Sequence, residues 1–145
     1  VAHPESVADH SYGVALAALV LAPPELDRAR LLAMALLHDL AEVRVGDITP
    51  YDGVSHDEKR RRERNAASEL LGARPDLLAL WQEAEEGRSP EARFLKQVDR
   101  FDLRLQAERY GGTGVDVTDF LTSTAHVAGL ATNASGWVRV DRFTA

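Results

Sequence analysis

Apolar side chains recur along this chain at three- and four-residue spacing, and capping residues, prolines and glycines cut the pattern into helix-length segments. No alternating run before the last ten residues supports a strand, so the pattern predicts an all-α fold. Ser6, with Asp9 three residues on, resembles a capping box that opens a helix running to about Leu21, stopped by Pro23 and Pro24. A second helix is expected from about Asp27 to near Gly46, carrying Leu31, Leu32, Ala35 and Leu36 and then His38, Asp39 and Glu42. Ser55 with Glu58 opens a third, which Gly72 can close, and Pro75 to Glu86 gives a fourth, ending at Gly87. Ser89 followed by Pro90 starts a fifth, running to about Tyr110. A sixth is expected from about Asp116 to Ala131, and Trp137 to Phe143 reads as an extended arm in a tail, 132–145, of unassigned structure. Trp81, Phe94 and Phe101 fall on helical core stripes. The expected architecture is a compact single-domain bundle of about six helices spanning 1–145.

Composition narrows the chemistry. At 145 residues and 45% apolar, the chain can bury one sizeable core. Its formal charge of -6, from 23 acidic and 17 basic residues, argues against a nucleic acid polymer as partner. A small phosphorylated metabolite remains compatible, because a bound divalent cation can outweigh the overall sign locally. Cysteine is absent, so a metal must be held by His, Asp or Glu. The apolar run Val14 to Ala22 has Glu5 and Asp9 before it where a signal peptide would carry Lys or Arg. It also falls short of the ~20 residues that a membrane-spanning helix needs. A soluble, cytoplasmic protein with no membrane partner is expected. The chain opens at Val1 without a methionine, and an upstream N-terminal segment is expected to be missing.

Adjacent His38 and Asp39 lie at the end of a very apolar helix, where burying an ionised carboxylate calls for a cation or several hydrogen bonds. Along this helix, with His38 at 0°, Asp39 points to about 100°, Glu42 to about 40° and Ala35 to about 60°. Glu42 would then project between two ligands, and the Ala35 methyl would leave room for a metal and substrate. A His-Asp dipeptide alone is better read as a capped or solvated helix end. His10 upstream and Asp99 downstream, on separate helices, make the set more specific, since bundle metal sites are built from facing helices. Of the remaining charges, Lys59 to Arg64 hold five basic residues in six with Glu58, Glu63 and Glu69 nearby, which reads as a solvated face with ion pairs. Lys59 and Lys96 are the candidates for touching a substrate phosphate; Lys96, one turn before Asp99, can alternatively pair with it. His56 and His126 read as surface residues or neighbours of the site, and His3 as terminal.

Several stretches resemble the HD-domain superfamily, and within it the small 5'-deoxynucleotidases and their relatives. These are Pro4-Glu5-Ser6-Val7-Ala8-Asp9-His10-Ser11, Leu36-Leu37-His38-Asp39-Leu40-Ala41-Glu42, Gly46-Asp47-Ile48-Thr49-Pro50, Glu58 to Glu63, and Phe94-Leu95-Lys96-Gln97-Val98-Asp99-Arg100. The resemblance runs from about Pro4 to Ala125. It implies one divalent metal held by His10, His38, Asp39 and Asp99, with Glu42 and Asp47 in catalysis or substrate binding. Two imidazoles and two carboxylates suit Mn²⁺, Co²⁺, Zn²⁺ or Fe²⁺. The implied activity is hydrolysis of (deoxy)nucleoside 5'-monophosphates to nucleoside and phosphate, by a protein that is often a homodimer. Similar proteins carry an Arg and a Trp upstream of the Pro4 segment that contact the phosphate and sense the sugar, so the deoxyribose preference depends on residues this chain does not include. Two other classes are an HD-type oxygenase and a non-catalytic, metal-binding regulatory HD module. The first needs further His ligands, of which only His56 lies between Asp39 and Asp99; Glu42 and Asp47 argue against the second.

Overall fold

The structure, a computed structural model, describes residues 6–112, with side chains described through Arg104. The expected sixth helix, the tail, His3 and His126 lie outside the described residues. Among those described, the secondary structure is helical throughout: α1 (Val7–Leu21), α2 (Arg28–Leu37), α3 (Glu42–Val45), α4 (His56–Leu71), α5 (Pro75–Glu86) and α6 (Pro90–Gly112).

Most boundaries follow from local capping chemistry. The Asp9 N–H donates to Ser6 Oγ at 3.1 Å and the Ser6 N–H to Asp9 Oδ2 at 3.3 Å, closing the capping box of α1. The hydroxyls of Ser55 and Ser89 accept from the Glu58 and Ala92 N–H groups, and Asp27 accepts from Arg30. Gly87 closes α5 in the left-handed conformation.

The expected second helix is the exception: it breaks at His38. Nδ1 of His38 donates to the Ala35 carbonyl at 2.6 Å, and Trp81 Nε1 donates to the His38 carbonyl at 3.2 Å. An uninterrupted helix would offer those two carbonyls to the N–H groups of Asp39 and Glu42. The Glu42 N–H instead reaches the Asp39 carbonyl, and three-residue turns carry the chain from Leu37 through Ala41 into the four-residue α3. The continuous-helix angles therefore do not apply beyond His38, and Ala35, fully buried, spends its methyl on the core rather than on open space.

Two apolar clusters set the frame. One joins α1, α2, α5 and α6 through Val14, Ala17, Ala18, Leu31, Met34, Ala35, Ala84, Ala92, Leu95 and Val98. The other joins α4 and α5 through Ala66, Ala67, Leu71 and Trp81, with Ala41 just before α3 buried in it and Val45 of α3 packed against it. Phe101 and Trp81 are buried as expected, and Phe94 packs against the first cluster. Alanines and larger apolar side chains pack α1, α2 and α6 against one another, which brings the first turns of α1, the end of α2 and the middle of α6 to one end of the bundle.

Candidate metal centre

His10 continues the buried stripe of α1, lying four residues before Val14. Asp99 and Asp102 likewise extend the stripe Ala92, Leu95, Val98 of α6, and His38 and Asp39 follow the last turn of α2. Where these stripes meet, the side chains change from apolar to ligating. One donor atom from each of His10, His38, Asp39 and Asp99 lies within 4.8 Å of the others.

Both imidazoles are held by Nδ1 and present Nε2 to the carboxylates. His10 Nδ1 donates to Asp102 Oδ2 at 2.9 Å, while its Nε2 stands 2.8 Å from Asp99 Oδ1 and 3.3 Å from Asp39 Oδ2. His38 Nδ1 is taken by the Ala35 carbonyl, and its Nε2 lies 3.2 Å from Asp39 Oδ2 and 3.5 Å from Asp99 Oδ1. Neither oxygen lies in line for a hydrogen bond: His38 Nε2 is buried with no hydrogen-bond partner among the described residues. A buried ring nitrogen of this kind is costly unless it receives a donor or a cation. With its Nδ1–H committed, His38 aims Nε2 at the carboxylate oxygens, where a cation that replaced the Nε2 proton would meet its lone pair, as in metal-ligating histidines. The set of two imidazoles and two carboxylates thus fits a divalent cation.

The electrostatics agree. Burial pushes the His10 imidazole down, but Asp102, Asp39 and Asp99 together carry it up to about 12. His38 is likewise pushed down by burial and raised to about 10 by Asp39 and Asp99. Burial lifts the Asp39 and Asp99 carboxyls, and the two imidazoles more than reverse this, leaving both below the usual range. In the metal-free protein, protons on the histidines supply positive charge that a bound cation would supply instead.

A family model described as an HD domain matches residues 1–132. The chain belongs to the HD-domain family. It is 44% identical over 115 residues to the 5'-deoxynucleotidase HDDC2 of Bos taurus, which covers 76% of this chain and 56% of that protein. Against the 5'-deoxynucleotidase hdd1 of Schizosaccharomyces pombe it is 37% identical over 116 residues, covering 74% of this chain and 59% of the relative. The chain thus spans somewhat more than half the length of these HD-domain relatives. Among solved structures it resembles a conserved hypothetical protein from Pyrococcus furiosus, with TM-score 0.76 and 28% identity over 97% of this chain and 83% of that one. It also resembles a predicted metal-dependent phosphohydrolase from Magnetospirillum magnetotacticum, with TM-score 0.65 and 29% identity over 92% of this chain and 79% of that one.

Around the HD pair the other candidate residues fall at different places. Glu42 is the half-buried first residue of α3. Burial, with the Asp39 and Asp47 charges, raises its carboxyl to about 7 against the opposing pull of Lys59. Asp47 is exposed, just after Gly46, whose φ of 79° makes the turn that glycine favours. Lys59 lies close by: its Nζ donates to the Ile48 carbonyl at 3.1 Å and sits 3.6 Å from Glu63 Oε1. Lys96 departs from expectation. Its Nζ donates to the Glu85 carbonyl at 2.8 Å, at the end of α5, rather than pairing with Asp99. His56 is exposed at the start of α4. Sequence reasoning missed Asp102, buried and bonded to His10, and Gly13, which packs against it. The one available signal was the Asp99-x-x-Asp102 spacing, which puts both carboxyls on one helix face.

Proposed function

We propose that this chain carries the catalytic HD domain of a metal-dependent phosphomonoesterase that cleaves nucleoside 5'-monophosphates, with 2'-deoxynucleotides preferred, to nucleoside and phosphate. The observation that carries the reading is the convergence of His10, His38, Asp39 and Asp99 with His38 Nε2 buried and unpartnered. The names of the relatives point to the same substrate class. In this reading the four residues hold one divalent ion, Mn²⁺, Co²⁺, Zn²⁺ or Fe²⁺, and no second metal. The exposed position of His56 supplies no buried ligand for one, which disfavours the oxygenase alternative.

When bound, such an ion lowers the pKa of a coordinated water and polarises the phosphoryl group. The chain's own residues supply the rest. A Glu42 carboxyl, raised by burial and by the Asp39 and Asp47 charges, can take a proton from the attacking water or return one to the leaving 5'-alkoxide. Asp47, on its glycine-hinged loop, is the second candidate for proton transfer, and Lys59 can hold the phosphate or keep that loop in place through Ile48. No described side chain is assigned to reading a base edge, so base identity is expected to matter little.

A homodimer is part of the proposal. It is consistent with exposed apolar side chains such as Tyr12, Leu36 and Val43, and sedimentation showing a monomer at micromolar concentration would remove it. A cytoplasmic location is also proposed; no described helix is long and apolar enough to cross a membrane. Phosphate release from ribo- and deoxyribonucleoside mono-, di- and triphosphates, with Mn²⁺ or Co²⁺ and with chelator, tests the activity. Metal-dependent release from monophosphates is expected. Activity confined to triphosphates, or none with any metal, contradicts it.

A further inference from the structure

The four candidate ligands are not the whole of the centre. Asp102 is buried on α6 one turn beyond Asp99, and its Oδ2 accepts from His10 Nδ1 at 2.9 Å, on the far side of the ring from the ligand cluster. Across from it on α1 stands Gly13, one turn after His10. A Cβ built on Gly13 would lie 2.9 Å from Asp102 Oδ1, closer than such atoms come in folded proteins. The absence of a side chain at position 13 and the presence of a carboxyl at 102 are therefore complementary: α1 leaves the space that the Asp102 carboxyl fills in order to reach His10.

We infer that Asp102 is a positioning residue that orients His10 for metal ligation through Nε2, and that Gly13 is kept free of a side chain to admit its carboxyl. The inference rests on the four-ligand reading above. The physical case is that an imidazole bound only through Nε2 can rotate about its Cβ–Cγ bond, whereas a second anchor at Nδ1 fixes both its tilt and its tautomer. His38 receives that anchor from a backbone carbonyl, which no substitution removes. His10 receives it from a side chain, so its orientation is the one that mutation can release.

The test uses the metal-free protein titrated with Co²⁺, followed by calorimetry and by the visible absorption of the bound ion, which reports ligand geometry independently of turnover. Asp102→Ala should weaken Co²⁺ binding by about 10–100-fold, the usual cost of losing a carboxylate behind a ligating histidine, and change the absorption spectrum. Gly13→Ala should act in the same direction, because its methyl displaces the carboxyl. The Gly13→Ala, Asp102→Ala double variant should bind no more weakly than Asp102→Ala alone, since the clash has lost its partner. If Asp102→Ala does not fold, Asp102→Asn carries the test, with a weaker affinity and a changed spectrum expected. Wild-type affinity and spectrum in the Asp102 variant, or additive losses in the double variant, would overturn the inference. His38→Ala separates this from the reading beneath it. If His38→Ala loses Co²⁺ while Asp102→Ala keeps it unchanged, only the positioning role fails; if both bind as wild type does, the four-ligand site fails.

Discussion

The two ends of the α1–α2–α6 interface use the same helices and spacing but opposite chemistry. At one end Val14, Leu31, Met34 and Leu95 are buried and need only matching volume from one another. At the other, within a few turns, His10, His38, Asp39, Asp99 and Asp102 converge, and every polar atom there must be accounted for. The apolar end is satisfied by the chain alone. The polar end, without a metal, leaves His38 Nε2 unpartnered and holds both imidazoles far above their ordinary range. A region that the chain does not satisfy by itself is where a ligand is expected, and that contrast points to the site more directly than the presence of acidic residues.

The largest effect that can sharpen the contrast is at the polar end. Asp39→Ala should reduce phosphate release to background while leaving the helical circular dichroism of the protein in place. Glu42→Gln comes next: it should keep the metal and lower turnover by about 10²–10⁴-fold, the span of general acid–base catalysis. It should also remove the limb of the pH–rate profile that this carboxyl contributes; its pKa, raised to about 7 in the metal-free protein, moves lower when a cation is bound, and the limb moves with it. A Glu42→Gln protein with wild-type turnover would make Glu42 a structural residue of α3.

Leu31→Ala reverses the pattern. Removing a fully buried leucine should cost about 2–5 kcal/mol of stability in urea unfolding, with metal affinity unaltered among the molecules that remain folded. Equal loss of metal affinity would mean that the two ends are not separable.

The protonation of the centre supplies a smaller effect of defined sign. Raised histidines favour the folded protein below their unfolded pKa of 6.5, and the gain disappears as pH climbs through about 10 for His38 and about 12 for His10. Metal-free protein should thus lose stability across that alkaline window. Metal binding at pH 8 should release protons, seen as a dependence of the binding heat on buffer ionisation enthalpy. At the bottom of the scale, Arg62→Ala, which removes one exposed partner of Glu58, should leave the urea-unfolding midpoint close to that of the wild type.

Much of this was legible in the residues because it is local. Ser6, Ser55 and Ser89 cap their helices with groups three residues away, and Glu58 pairs with Arg61 and Arg62 within one turn. The four candidate ligands could be picked out by residue type and order, and the structure brings their donor atoms together. What escaped depends on contacts distant in sequence. The break at His38 is made by its own ring together with Trp81, 43 residues on, and periodicity alone reads straight through it. The Asp102–His10 bond spans 92 residues, and the Gly13 complement to it exists only after α1 and α6 pack. The Glu85 carbonyl as partner of Lys96 escaped for the same reason, since nothing in its own helix announces that the end of α5 lies beside it.

The most direct measurement is the stoichiometry of metal on purified protein, stripped and then titrated with Mn²⁺ or Co²⁺. One ion per chain is expected for the wild type and for Leu31→Ala, and loss of that ion in His38→Ala and in Asp99→Ala. Undiminished binding in both ligand variants, or no binding by the wild type, would contradict the four-ligand site.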